Sequence, residues 1–270
     1  MMKDNFKMPL AYDIQYSDTL NRGLAYAESC FETWRVVNRD VFLLLAHQQR
    51  LQRGMTCLGW DVSLPTIQKW FDKANQAAMQ QGNDRLIRMS ISAGEAAWGL
   101  LPKETATLKV YVQTMSCLKR PNLHLQSVEW MFPRYEKLAK FTADYSFELR
   151  AMRQWKDSLP AGRKALICQD GEVMHSLTAN ILLYRQGQWW TAQGLGILSG
   201  VVQDFLCQQG LVKGISCPVA WLDDCEAMAC SNSGVFLQAV ASIHGRKLDM
   251  QHPALDVLYA ALRCEKGVAL

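Results

Sequence analysis

The chain has 270 residues, 49% apolar and 20% charged, so it exceeds a typical domain of about 150 residues and has ample material for burial. Disordered, collagen-like and coiled-coil classes are excluded, and a balance of 29 basic to 25 acidic residues, net +4 with no basic run, argues against a nucleic-acid partner. Nine scattered cysteines without a CxxC pair, no apolar core in the opening MMKDNFKMPLAYD and no run fit to insert in a bilayer predict a reduced, cytoplasmic protein without a membrane partner.

In chain order, Thr33 to Val37 and Val41 to Leu45 are β-prone runs around Asn38-Arg39-Asp40 and predict a hairpin. Leu51, Met55 and Leu58 follow at helical spacing and predict a helix with His47 and Arg50 in its first turns. Ser63 and Pro65 open a second helix through Ile67, Trp70, Phe71 and Ala74. Leu86 to Ser92 and Leu108 to Val112 alternate as strands, so the first lobe reads as an α/β sandwich ending near Met115. The aperiodic stretch from Ser116 to Leu125, with Lys119, Arg120, Pro121 and Asn122, predicts the linker. The expected division is a small α/β domain over 1–117 and a larger domain over 118–270.

Beyond the linker, Tyr145, Leu149 and Met152 mark a helix that exits at Ser158, Pro160 and Gly162. Ala165 to Cys168, Val173 to Met174, Asn180 to Tyr184 and Trp189 to Ala192 predict a meander or barrel, punctuated by the turn dipeptides Asp170-Gly171 and Gln186-Gly187. Ser199 opens a helix through Val202, Phe205 and Leu206 that stops at Gly210, and a last helix with Leu255, Leu258 and Leu262 follows Pro253. The overall class is thus α/β (α+β), with flanking helices on the larger lobe.

GxSxG, HExxH and P-loop signatures are absent, and neither the five histidines nor the cysteines show metal-ligand spacing, so no metal is expected. Gly194 to Ser199 approaches a dinucleotide fingerprint but lacks its last small residue and its acidic partner. The same glycines lead into a helix, which leaves the amides of Gly200, Val201 and Val202 at a positive end that can hold a phosphate. A helix dipole contributes about 1 to 2 kcal/mol, whereas micromolar retention needs about 8, so a phosphorylated ligand there also requires a cation or a covalent link.

Five ordered segments between about Asp18 and Leu248 together resemble one family. LNRGLAYAESCFETWRVVNRDVFLLLAHQQRL, with its FET triplet Phe31-Glu32-Thr33 and its His47-x-x-Arg50-Leu51, is similar to the opening of the class IV aminotransferases, the fold type IV pyridoxal-phosphate enzymes. The FET triplet looks most like the aminodeoxychorismate lyases within that class. KLAKFTADYSFELRAM resembles the segment bearing the family's Schiff-base lysine, DGEVMHSLTANILLY the strand pair bearing its glutamate and asparagine, GILSGVVQ its phosphate cup, and SNSGVFLQAVASIHGRKL its C-terminal loop.

That resemblance implies pyridoxal 5′-phosphate as cofactor and a homodimer acting on a small-molecule amino substrate. It makes Lys140 the catalytic lysine, with Lys137 the poorer candidate, and Arg50 the phosphate cation. It makes Lys140, His175, Gly200, Val201, Val202, Asn232 and Ser233 cofactor contacts. Aminodeoxychorismate lyases eliminate pyruvate to leave 4-aminobenzoate, a folate precursor; the alternatives are a class IV aminotransferase for a small D-amino or branched-chain amino acid, and a non-catalytic relative. The chain departs from the pattern at four places. His175 stands where the family has the glutamate that holds the pyridine nitrogen protonated, Val202 and Gln203 stand where a threonine and an arginine are common, and Ala93 precedes Gly94 where an arginine is frequent. A neutral imidazole binds a pyridinium less strongly than a carboxylate and a charged one repels it, which predicts a weaker electron sink. Core or interface packing is the expected role of nearly all the tryptophans, with Trp98 kept as a possible neighbour of the site.

Overall fold

A computed structural model describes residues 17–101, 107–117 and 120–270; the opening segment and Leu118 and Lys119 of the expected linker lie outside the described residues. The first part of the chain forms β1 (Leu20–Asn21), α1 (Arg22–Ala25), β2 (Ser29–Val37), β3 (Asp40–Val41), α2 (Leu44–Cys57), α3 (Leu64–Met79), β4 (Asp84–Ser92), β5 (Glu95–Ala96) and β6 (Lys109–Ser116). The second part forms β7 (Leu123–Glu129), α4 (Asp144–Trp155), β8 (Lys164–Gln169), β9 (Glu172–Ser176), β10 (Ala179–Arg185), β11 (Gln188–Ala192), α5 (Val201–Gln208), β12 (Val212–Ile215), β13 (Cys217–Pro218), α6 (Trp221–Asp224), β14 (Ala227–Asn232), β15 (Phe236–Ile243), β16 (Arg246–Lys247) and α7 (Pro253–Arg263).

In the first part, β3-β2-β4-β6 form an antiparallel sheet in which Ser29 faces Ser92 and Val37 faces Asp84. The alternation of β2 and β4 divides their side chains between two faces. Trp34, Val36, Ile87, Met89 and Ile91 pack under α2 and α3 against Leu51, Met55, Ile67 and Phe71. Trp34 stacks on Phe71 with ring centroids 4.0 Å apart, and its indole N–H donates to Asn75 Oδ1 at 2.7 Å. Residues of the opposite register, among them Phe31, Thr33, Leu86 and Arg88, face a cavity.

In the second part, β9 pairs with both β8 and β10, and this closes β10-β14-β15-β7-β8-β9 into a six-stranded ring that β11 and β12 extend. Its hairpins turn where Asp170-Gly171 and Gln186-Gly187 both take positive φ, 53° then 78° and 53° then 76°, the conformation that matches the strand twist. All nine cysteines are free, and no helix among the described residues is long and apolar enough to cross a membrane.

The structure differs from the sequence expectations in four places. The run Val41 to Leu45 is not one strand: β3 ends at Val41, Leu43 adopts φ 47°, and α2 begins at Leu44. Phe42 leaves the small sheet to fill the other part's core, edge-on to Phe205 and Phe236 at 5.2 and 5.8 Å. Gly200, not Ser199, caps α5, and Ser199 Oγ bonds Asp204 instead. Helix α4 buries Glu148, Ala151 and Trp155, while Leu149 and Met152 are exposed, because the helix turns its carboxylate-bearing face to the cavity and its aromatic end to Trp130. Finally, SNSGVFLQAVASIHGRKL is not all loop: Phe236 to Ile243 form β15, paired with β14.

Phe42 joins the two cores, so Phe42→Ala is expected to cost about 3 to 5 kcal/mol of unfolding free energy in urea titration, with no change in far-ultraviolet circular dichroism.

Candidate active site

A cavity of about 650 Å³ lies between the four-stranded sheet and the ring, within the usual size of a small-molecule site. A charged cluster at and behind its wall follows from the register of β2. Glu32 shares a face with Trp34, so its carboxylate points beneath α2, where a helical spacing of three brings His47 and Arg50 onto it together. Arg50 donates from Nε to Glu32 Oε2 at 2.9 Å and from Nη2 to Oε1 at 2.6 Å, and His47 Nδ1 lies 3.1 Å from Oε1. All three side chains are buried.

Lys140 joins this group from the other part of the chain. Its carbonyl accepts from Phe31 N–H at 2.9 Å, Thr142 N–H donates to Ser29 O at 3.1 Å, and Cys30 pairs with Phe141, so the segment runs as a short antiparallel partner of β2. Lys140 Nζ then stands 3.5 Å from Glu32 Oε1. The close fit requires a glycine on α2: a Cβ at Gly54 would come within 2.9 Å of the Ala139 Cβ.

Charge sets the protonation of this cluster. Burial by itself would raise the Glu32 carboxyl, but Arg50 and then Lys140 outweigh it and hold the group well below the usual carboxylate range. Burial depresses His47 more strongly than Glu32 raises it, so its ring is neutral and Nδ1–H donates to the carboxylate. Burial, only partly offset by Glu32, brings the Lys140 amine down from 10.5 to about 8, so a sizeable fraction is unprotonated and nucleophilic near neutrality.

The remaining sequence candidates fall around the same space. Arg50, Lys140, His175, Gly200, Val201, Asn232 and Ser233 border the cavity; Val202 lies behind it in the apolar core. The amide of Gly200, expected to be unpaired, donates to Gln203 Oε1 at 3.2 Å, which leaves the amides of Val201 and Val202 as the free start of α5. Gln203 is fully buried and ties this terminus to Thr191 and Ala192, so the glutamine at that position is a structural brace. Arg50 Nη1 donates to Ser199 O at 3.1 Å, which sets the guanidinium beside the same terminus. Asn232 commits its side chain to the backbone, donating to Thr178 O in the turn between β9 and β10 and accepting from Gly234 and Val235 N–H in its own turn. His175 Nδ1 donates to Ser176 O at 2.7 Å, and burial, reinforced by Lys137, lowers its pKa to about 4, so its ring is neutral. Trp98 is 95% exposed and does not line the cavity.

Several lining residues were not singled out from the sequence. Glu32, which lies behind the wall rather than on it, was legible only as part of the FET triplet. Arg88, whose guanidinium lies 3.7 Å from the centroid of the Phe31 ring, and Arg120 add two cations to the wall, and α4 contributes Tyr145 and Glu148. No group of three or more metal-binding side chains occurs among the described residues.

The amino-transferase class IV family model matches residues 29–243. Among solved structures, the chain resembles a candidate 4-amino-4-deoxychorismate lyase from Legionella pneumophila, with a TM-score of 0.77 and 23% identity over 96% of each chain. It also resembles 4-amino-4-deoxychorismate lyase from Pseudomonas aeruginosa, with a TM-score of 0.74 and 18% identity over 96% of this chain and 97% of that one. Branched-chain amino acid aminotransferase from Escherichia coli follows the same fold, with a TM-score of 0.75 and 16% identity over 88% of this chain and 85% of that one. No curated protein matches the sequence. Matched by the family model over most of its length and built on a closed strand ring beside a small α/β sheet, the chain belongs to the class IV aminotransferases.

Proposed function

We propose that the protein is a pyridoxal-phosphate lyase of the 4-amino-4-deoxychorismate type, which eliminates pyruvate and leaves 4-aminobenzoate. The observation that carries the cofactor and catalytic assignment is the Lys140 amine, lowered to about 8, in one cavity with Arg50 and the free start of α5. The class IV aminotransferases use pyridoxal phosphate, and the residues present fit it. Arg50 and the Val201 and Val202 amides supply a cation and helix-terminus donors for a phosphate, Ser233 lies on the same wall, and Lys140 supplies the amine. A Cβ at residue 200 would meet Asn180 Oδ1 at 2.1 Å, so glycine there lets the α5 turn close on the strand that carries Asn180.

When bound, pyridoxal phosphate supplies an aldehyde that takes up amines and a ring that withdraws electrons. The rest is the work of this chain. Lys140 Nζ, free of its proton in part of the population, serves first as nucleophile and then as the group that takes and returns a proton at the substrate carbon. Glu32 holds that amine in place without neutralising the cavity, since Arg50 already balances its charge. Arg88 and Arg120 offer cations to substrate carboxylates. His175, neutral and with Nδ1–H committed, presents no negative charge to the ring.

The FET triplet supports a lyase over a transaminase, and the fold is shared with two solved lyases across nearly their whole length. Branched-chain transaminases share the fold, so a transaminase of a small amino acid is the second reading. We further propose that the protein works as a homodimer.

Purified protein is expected to turn yellow with pyridoxal phosphate and, after borohydride reduction, to carry the label on Lys140; Lys140→Ala takes up no label. Incubation with 4-amino-4-deoxychorismate is expected to release pyruvate without an added keto acid, whereas no pyruvate from that compound, together with transfer of a small amino acid's amino group to an added keto acid, would establish the transaminase. The rate of covalent attachment should rise with pH and level off above about 8, because the lowered amine loses its proton there. Glu32→Gln removes the anion that pulls the amine upward, so its midpoint should move to lower pH in the same stopped-flow titration; a midpoint that moves upward counts against the assignment.

A further inference from the structure

Glu32 lies behind the cavity wall, and a different buried carboxylate borders the cavity itself. Glu148, on α4, is 8% exposed and borders the cavity. Its Oε1 accepts from Lys137 Nζ at 3.5 Å, while its Oε2 is buried with no hydrogen-bond partner. Three residues earlier on the same helix, Tyr145 lines the same wall, so Glu148 belongs to a face turned inward rather than to a stray surface turn. A carboxylate oxygen withdrawn from water without a donor loses its hydration uncompensated, and proteins rarely leave one so. Lys137 satisfies half of the group, and Lys137, Glu148 and His175 all border the same cavity. The other acidic side chain on the cavity wall, Asp144, accepts from the Tyr135 hydroxyl at 2.6 Å, whereas Glu148 is the lining carboxylate whose buried oxygen has no donor among the described residues.

We propose that Glu148 is a ligand-binding residue whose free Oε2 accepts a hydrogen bond from an N–H donor of the bound small molecule, either the ring nitrogen of the cofactor or the amine of the substrate. The proposal rests on the functional reading above and deepens it. An N–H donor, above all a cationic one, suits an oxygen with half of its carboxylate already paired to Lys137, because it satisfies the orphan acceptor and offsets the cost of burial. A carboxylate or phosphate of the ligand is repelled from the same place and is directed to the arginine-bearing walls.

The test compares wild-type protein with Glu148→Gln in two titrations that need no turnover. In the first, pyridoxal phosphate is added without substrate and its absorbance gives Kd. In the second, 4-amino-4-deoxychorismate is titrated onto protein already reduced with borohydride, and quenching of tryptophan fluorescence gives Kd. A rise of tenfold or more in the first Kd assigns the donor to the cofactor ring, and the same rise in the second alone assigns it to the substrate amine. Both constants within twofold of wild type, with an unchanged melting temperature, overturn the proposal. Should Glu148→Gln fail to fold, Glu148→Asp keeps the charge, withdraws the oxygen by one methylene and is read against the same limits. Wild-type protein that binds no pyridoxal phosphate overturns the functional reading and this proposal together. Wild-type protein that binds the cofactor but not the chorismate derivative overturns the lyase reading alone, and the cofactor titration then decides Glu148 by itself.

Discussion

The buried carboxylate of Glu32 is the interaction on which the rest of the site depends. An isolated carboxylate in that position would take up a proton, since burial by itself raises its pKa. The double hydrogen bond from Arg50 keeps it ionised, and an ionised Glu32 in turn fixes the His47 tautomer and holds Lys140 within reach. The four side chains come from three separate places, Glu32 on β2, His47 and Arg50 on α2, and Lys140 on the segment before α4, so the charge balance and the tertiary fold are one arrangement. Removing one charge from such a buried group typically costs about 3 to 5 kcal/mol, because the others are left uncompensated.

The same cluster explains how two sheets of unlike topology share a cavity. The small sheet turns one register of β2 and β4 toward helices and the other toward the ligand space, so a single strand carries both the supporting carboxylate and the cavity-facing Phe31 and Thr33. Phe42 reaches into the ring's core, and Arg35 crosses the same boundary, pairing with Asp84 while donating to Gly234 O at 3.1 Å. Gly234 follows Ser233 on the cavity wall, so the docking contacts and the wall lie on neighbouring residues.

Much of this was legible in the sequence where local chemistry and tertiary demand agree. Asp170-Gly171 and Gln186-Gly187 announce hairpins because their glycines take positive φ at little cost, and Ser63 with Pro65 marks α3 because both suit a helix start. Other features were hidden for physical reasons. β14 is buried on both faces and built from Ala, Met, Cys and Ser, so it shows no alternation. On α4 the apolar stripe of Leu149 and Met152 points outward and the charged Glu148 inward, the reverse of the usual rule, because the inner face borders a polar cavity. Glu32, between Phe31 and Thr33 in a strand, gives no sign by itself that an arginine, a histidine and a lysine converge on it. Lys140, Arg50 and the α5 turn were found through the order of motifs along the chain.

The short pairing of the Lys140 segment with β2 also constrains how the chain can vary in length. Side chains on an extended segment alternate, so a slip of one residue would present Ala139 or Phe141 to Glu32 in place of the lysine. Gly54 leaves no slack for the backbone to bulge, because Ala139 already sits against α2. Insertions and deletions are therefore excluded between Ala139 and Thr142, whereas the exposed turn at Pro160 to Gly162 can absorb them. The lysine's position is held by a count of residues as firmly as by its charge.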